Sequence, residues 1–100
     1  MEFEWDGAKS DRNLQDRGFD FEFATLIFEG QTVEVEDRRQ DYGERRVIAI
    51  GVADGIALTV VYTDRTGRDG ETLRRIISAH KANRRQRSIY QQAMLKRESS

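Results

Sequence analysis

Phe3 and Trp5 alternate with Glu2 and Glu4 at the start of the chain, the period of a short half-buried strand. Asp6 can cap a helix running to about Arg17, where Gly18 is a stop signal. Only Ala8 and Leu14 give this helix an apolar face, so tertiary packing must hold it. Asp20 can cap a second helix in which Phe23, Ala24, Ile27 and Phe28 form one stripe, closed by Gly30. The period then changes to two. Thr32 to Glu36 reads as a short strand and residues 37–44 as a polar loop. Arg46 to Val52 and Ile56 to Thr63 are apolar strands joined by Ala53-Asp54-Gly55, a hairpin signal. After a glycine-containing loop at 64–71, Leu73 to Ala79 is a further strand. Lys81 to about Leu95 is a helix with Ala82, Gln86, Ile89 and Ala93 along one seam. The order β-α-α-β-β-β-β-α predicts an α+β domain, an antiparallel sheet with its helices segregated to one face.

Composition narrows the function classes. One hundred residues, 37% hydrophobic and 35% charged, predict a single globular domain over residues 1–100, with 96–100 fraying. The absence of cysteine excludes a disulfide framework and a thiolate metal site. A single histidine leaves only carboxylates to complete a zinc site, so neither metal nor other cofactor is expected. The longest apolar region, Val47 to Thr63, is interrupted by Asp54-Gly55 and reads as a hairpin rather than a membrane span. MEFEWDGAK lacks the basic start and apolar stretch of a signal peptide, so a cytoplasmic protein is expected.

The net charge of −1 conceals a division. Residues 1–44 carry 13 acids and 5 bases, residues 45–100 carry 5 acids and 12 bases. Two solvated faces that attract each other would explain this, as would a basic working face on an acidic body. The segment RRIISAHKANRRQRSIY concentrates the positive charge together with His80, whose unperturbed pKa suits acid–base work near neutrality, and Tyr90. Strict alternation along Leu73–His80 puts Arg75 on the face of Leu73, Ile77 and Ala79, and Arg74 on the other. An arginine among core residues needs a partner, either an acid such as Glu44 or Asp6 or a bound phosphate. Arg84, Arg85 and Arg87 read first as a solvated helix face, and Tyr90 as a core aromatic with its hydroxyl at the surface.

Three segments resemble the BrnT toxins of bacterial type II toxin–antitoxin systems. FEWDGAKSDRNLQDRGFDFEFATLIF is similar to that family's F-E-W-D-x-x-K-x-x-x-N opening, GERRVIAIGVADGIALTVVYTDR to its G-E-x-R and L-x-V-V-x-T-x-R strands, and RRIISAHKANRRQRSIY to R-I-I-S-A-R-K-A-x-x-x-E-x-x-x-Y. The resemblance implies a RelE-like fold, metal-independent RNA cleavage by attack of a 2′-hydroxyl on the adjacent phosphate, and neutralisation by a BrnA-like antitoxin. Through that complex alone it implies contact with operator DNA. Carried over by position, Arg75 is the family's strand arginine and Glu44 with Arg45 or Arg46 its E-x-R pair. The expected catalytic set is Arg75, Arg45, His80 and Tyr90, with Lys9, Lys81, Arg84 and Arg85 on the RNA backbone. The chain departs from the pattern at Asp16-Arg17, at His80 where the family carries arginine, and at Gln86 where it carries glutamate. These departures motivate an alternative, a catalytically weakened member that acts as antitoxin-binding partner and co-repressor. A free-standing nucleic-acid-binding module is a third reading, against which the acidic first half argues.

Overall fold

The computed structural model describes residues 1–99. Its elements are β1 (Glu2–Trp5), α1 (Gly7–Arg17), α2 (Phe21–Ala24), a 3-10 turn (Thr25–Glu29), β2 (Val33–Glu36), β3 (Val47–Ala53), β4 (Ile56–Thr66), β5 (Thr72–Lys81) and α3 (Arg84–Glu98). They form one five-stranded sheet in the order β1-β5-β4-β3-β2. The α+β class is as expected, but the sheet is mixed. β1 pairs parallel to β5, with Glu4 opposite Arg75 and Trp5 opposite Ile76, while the other pairs are antiparallel.

The β3–β4 hairpin turns on Asp54 and Gly55, both at positive φ (48° and 79°), as a two-residue turn between right-twisted strands requires. Val47, Ala49 and Ala53 of β3, Leu58, Val60 and Tyr62 of β4, and Ile76 and Ala79 of β5 make one face of the core. Phe19, Phe21, Ala24 and Ile27 cover it. The predicted second helix is one α turn followed by a 3-10 turn, which lets Ile27 reach the sheet where β3 has Gly51. A Cβ at Gly51 would lie 2.8 Å from the Ile27 Cβ.

The first helix is held by polar groups rather than by its weak apolar stripe, and Leu14 is half exposed. Buried Ser10 accepts the Phe21 N–H through its Oγ (3.0 Å), and buried Asn13 donates from Nδ2 to the Phe19 carbonyl (2.9 Å). Asp6 caps α1 by accepting the Ala8 and Lys9 N–H groups.

The helices do not share a face. Thr59 lies between the core residues Leu58 and Val60, so its side chain points to the other side, and it donates to Gln86 Oε1 of α3 (2.9 Å). Helix α3 therefore covers Ile50 and Thr59 on the second face. It starts at Arg84 and not Lys81, because Lys81 still pairs with Leu58 and Asn83 supplies a capping box with Gln86. Within α3 the partly buried residues are Gln86, Tyr90, Ala93 and Met94, and Ile89 is 43% exposed. The helix runs on through Lys96 and Arg97, where the sequence predicts fraying; Ser100 lies outside the described residues.

Candidate active site

A β-bulge in β5 sets the site. Val61 pairs with Ser78 but Tyr62 pairs with Ile76, so Ile77 is the extra residue and the alternation reverses across it. Arg74 and not Arg75 consequently joins the core face. Its guanidinium lies 3.9 Å from the centre of the Tyr62 ring and 4.7 Å from that of Phe28, and it is paired to Asp64 at 2.8 Å. Arg75 points to the second face, opposite Thr63 and beside Glu4 of β1. The expectation of Arg75 among core side chains fails for this reason.

On the second face Arg75 opens into a polar hollow of about 300 Å³ that it shares with Asp6, Lys9, Glu44, Arg46, Arg65 and the flank of Ile76–Ile77. Each cation arrives from a different element: Lys9 from α1, Arg46 from the loop before β3, Arg65 from the end of β4, Arg75 from β5. Glu4 Oε1 stands 3.6 Å from Arg75 and 3.7 Å from Arg65, without a hydrogen bond to either. Arg46 is held by Glu44 at 2.9 Å and stacks on the Tyr42 ring, 4.0 Å from its centre. The result is four positive groups converging on a space large enough for a phosphate, with three carboxylates between them to limit their mutual repulsion.

The expected residues are distributed unevenly around this hollow. Arg75 and Lys9 line it. Arg45 does not: it points to the core face, is paired with Glu36 at 3.2 Å, and lines a separate hollow with Glu34 and Tyr62. Its neighbour Arg46 takes the place expected for it. His80 lies five residues along β5 from Arg75, about 16 Å at strand rise. It is half buried, and burial, with the nearby Arg17, pushes its pKa below the usual 6.5. Tyr90 donates its hydroxyl to the Gln31 carbonyl (3.1 Å) beneath α3. Lys81, Arg84 and Arg85 are exposed where β5 gives way to α3.

Residues absent from the sequence-based set are Arg65, Glu4 and the α1 arginines. Arg65 is legible in principle: extending the β4 alternation two residues past Thr63 puts it beside Thr63 on the second face. Glu4 carries no signal, because only the parallel pairing of β1 brings it to Arg75. Among the described residues no group of three His, Cys, Asp or Glu side chains is arranged to hold a metal, and no helix is long and apolar enough to cross a membrane.

A search of curated proteins finds no match to this chain. A family model does match, that of the ribonuclease toxin, BrnT, of type II toxin–antitoxin systems, over residues 5–86. That span takes in β1 from Trp5, the arginine hollow and the first turn of α3, so the chain belongs to the BrnT family of ribonuclease toxins.

Proposed function

We propose that the chain is one toxin domain that cleaves RNA in the cytoplasm, without a metal, in the hollow formed by Arg46, Arg65, Arg75 and Lys9, and that a BrnA-like antitoxin silences it. The observation that carries this reading is the convergence of four cations from four elements on one open space. In the proposed step the 2′-oxygen bonds to the adjacent phosphorus, the P–O5′ bond breaks, and the products are a cyclic phosphate and a 5′-hydroxyl. Charge accumulating on the phosphorane oxygens is met by guanidinium groups already fixed in place, so little reorganisation accompanies the reaction. Holding the 2′-hydroxyl in line with the phosphate supplies the rest. The carboxylates of Asp6 and Glu44 line the same hollow, whereas His80 and Tyr90 do not, and in this reading one of the two carboxylates takes the proton from the 2′-hydroxyl. Lys9, which lines the hollow too, protonates the departing 5′-oxygen in the same reading.

Replacing Arg75 by Ala tests this. Purified Arg75→Ala is expected to lose RNA cleavage by about a hundredfold or more while unfolding at the wild-type temperature, and its induction should no longer arrest growth. Undiminished cleavage would refute the assignment. The second reading, a weakened toxin retained as antitoxin partner and co-repressor, draws on His80, which stands in an arginine position and is biased to the neutral form. Wild-type induction without growth arrest or RNA loss would favour it.

A further inference from the structure

The ion pairs of the fold leave a pattern in what they omit. Arg38, Arg39, Arg45, Arg46, Arg65, Arg74 and Arg75 each have a carboxylate within 4 Å. Among the described residues, Lys9, Arg12, Arg17 and Lys81 belong to the cations that have none. These four follow one another in space. Lys9 belongs both to the arginine hollow and to a second hollow of about 280 Å³, walled by α1 (Lys9, Arg12, Asn13, Asp16, Arg17) and by Ile77 and Ser78 of β5. Arg17 belongs to that hollow and to a third, of about 450 Å³, where Lys81 is its cationic partner. The third differs in kind: Leu14, Phe23 and Ile56 line it together with Arg17, Lys81 and the carboxylates of Asp20 and Asp54, with Leu14 50% and Ile56 40% exposed.

The three hollows make one cleft along the open edge of β5 beyond the end of β1. Arg17 ties α1 to β5 by donating to the Ala79 carbonyl (2.8 Å) and to Asn13 Oδ1 (3.2 Å). From Lys9 to Arg17 the helix rises about 12 Å. Cations at this spacing with no carboxylate within 4 Å, ending at a hollow with an apolar part, match a backbone of repeated phosphates ending in a base.

Resting on the RNA-cleaving reading above, we infer that a single RNA strand leaves the arginine hollow along α1 and over the end of β5, with its phosphates on Lys9, Arg12, Arg17 and Lys81 and one base against Phe23 and Ile56. The strand is single because the cleft is walled on both sides, and because apolar side chains accept a base only when it is unstacked from its neighbours. The scissile phosphate and this track are separate sites joined at Lys9. Bases stacked on apolar side chains are read by shape rather than by edge, so the track contributes affinity and length preference more than sequence preference.

Fluorescence anisotropy with a labelled 2′-O-methyl RNA strand of about twelve nucleotides, which has no nucleophile and cannot be cut, measures the track apart from catalysis. Arg12→Glu and Lys81→Glu should each weaken binding by about tenfold and flatten the salt dependence by roughly 0.7 for each phosphate left without its cation. Lys96→Glu, on the last turn of α3, should bind as wild type. On cleavable RNA of that length the same two variants should raise KM and leave kcat unchanged. Wild-type affinity in both Arg12→Glu and Lys81→Glu would overturn the track. So would variants that keep the RNA strand but lose polyglutamate, which would assign the cleft to an acidic protein segment. If wild type binds the strand through these residues and cuts no RNA, the track stands and the cleavage reading falls.

Discussion

Glu4 and Arg75 face each other across the parallel β1–β5 pair, with the Glu4 Oε1 atom 3.6 Å from the Arg75 guanidinium and 3.7 Å from that of Arg65. That oxygen is buried and accepts no hydrogen bond. The carboxylate stands beside two arginines without hydrogen-bonding to either, which leaves their N–H groups available to a phosphate. Pairs whose side chains remain partly open to solvent contribute at most about 1 kcal/mol to stability. Glu4→Gln is therefore expected to lower kcat for RNA cleavage while shifting the urea midpoint little. A large loss of stability with kcat unchanged would show that Glu4 is structural only.

The bond from Phe21 N–H to the Ser10 hydroxyl is buried. Ser10→Ala leaves that donor unsatisfied and should cost roughly 1–3 kcal/mol in urea unfolding. Since Lys9 precedes Ser10 on the same helix, the variant should also cleave RNA more slowly below its unfolding transition. A stability equal to wild type would show that α1 is held by other contacts.

Gly51 has no room for a side chain, because a Cβ there meets Ile27 at 2.8 Å and Thr32 Cγ2 at 3.1 Å. Gly51→Ala should destabilise the fold by about 1–3 kcal/mol through overpacking, with the 3-10 turn displaced. Equilibrium denaturation checks the magnitude.

His80 gives a signed pH dependence. Burial holds its folded pKa below the ordinary 6.5, so between those two values the unfolded chain binds more protons than the folded one. The folded state is penalised as pH falls below about 6.5 and the penalty is absent above it. The stability difference between wild type and His80→Gln should therefore shift against wild type on acidification through this window. A difference independent of pH would mean that His80 is not desolvated by the fold.

What the sequence makes legible is local. The Asp54-Gly55 turn, the Asp6 and Asp20 caps and the alternation of β3 and β4 are set by neighbours along the chain. Arg75 stands out in the sequence, yet strict alternation puts it on the wrong face, because the bulge at Ile77 arises from pairing between β4 and β5 and leaves no mark in a period-two pattern. The same limit applies to Arg45 and Arg46: adjacent residues on opposite faces cannot be distinguished until the start of β3 is fixed to within one residue. The parallel placement of β1, and with it the position of Glu4, depends on a contact between distant parts of the chain.

The adjacency of Arg45 and Arg46 also supplies the most direct test of where RNA is cut. Rates of RNA cleavage by purified Arg46→Ala and Arg45→Ala, measured side by side, separate the two faces of the sheet. Arg46→Ala should fall by about a hundredfold, and Arg45→Ala, whose side chain lies with Glu36 on the far face, should stay close to wild type. Full activity in Arg46→Ala together with a collapse in Arg45→Ala would contradict the placement of the active site in the Arg75 hollow.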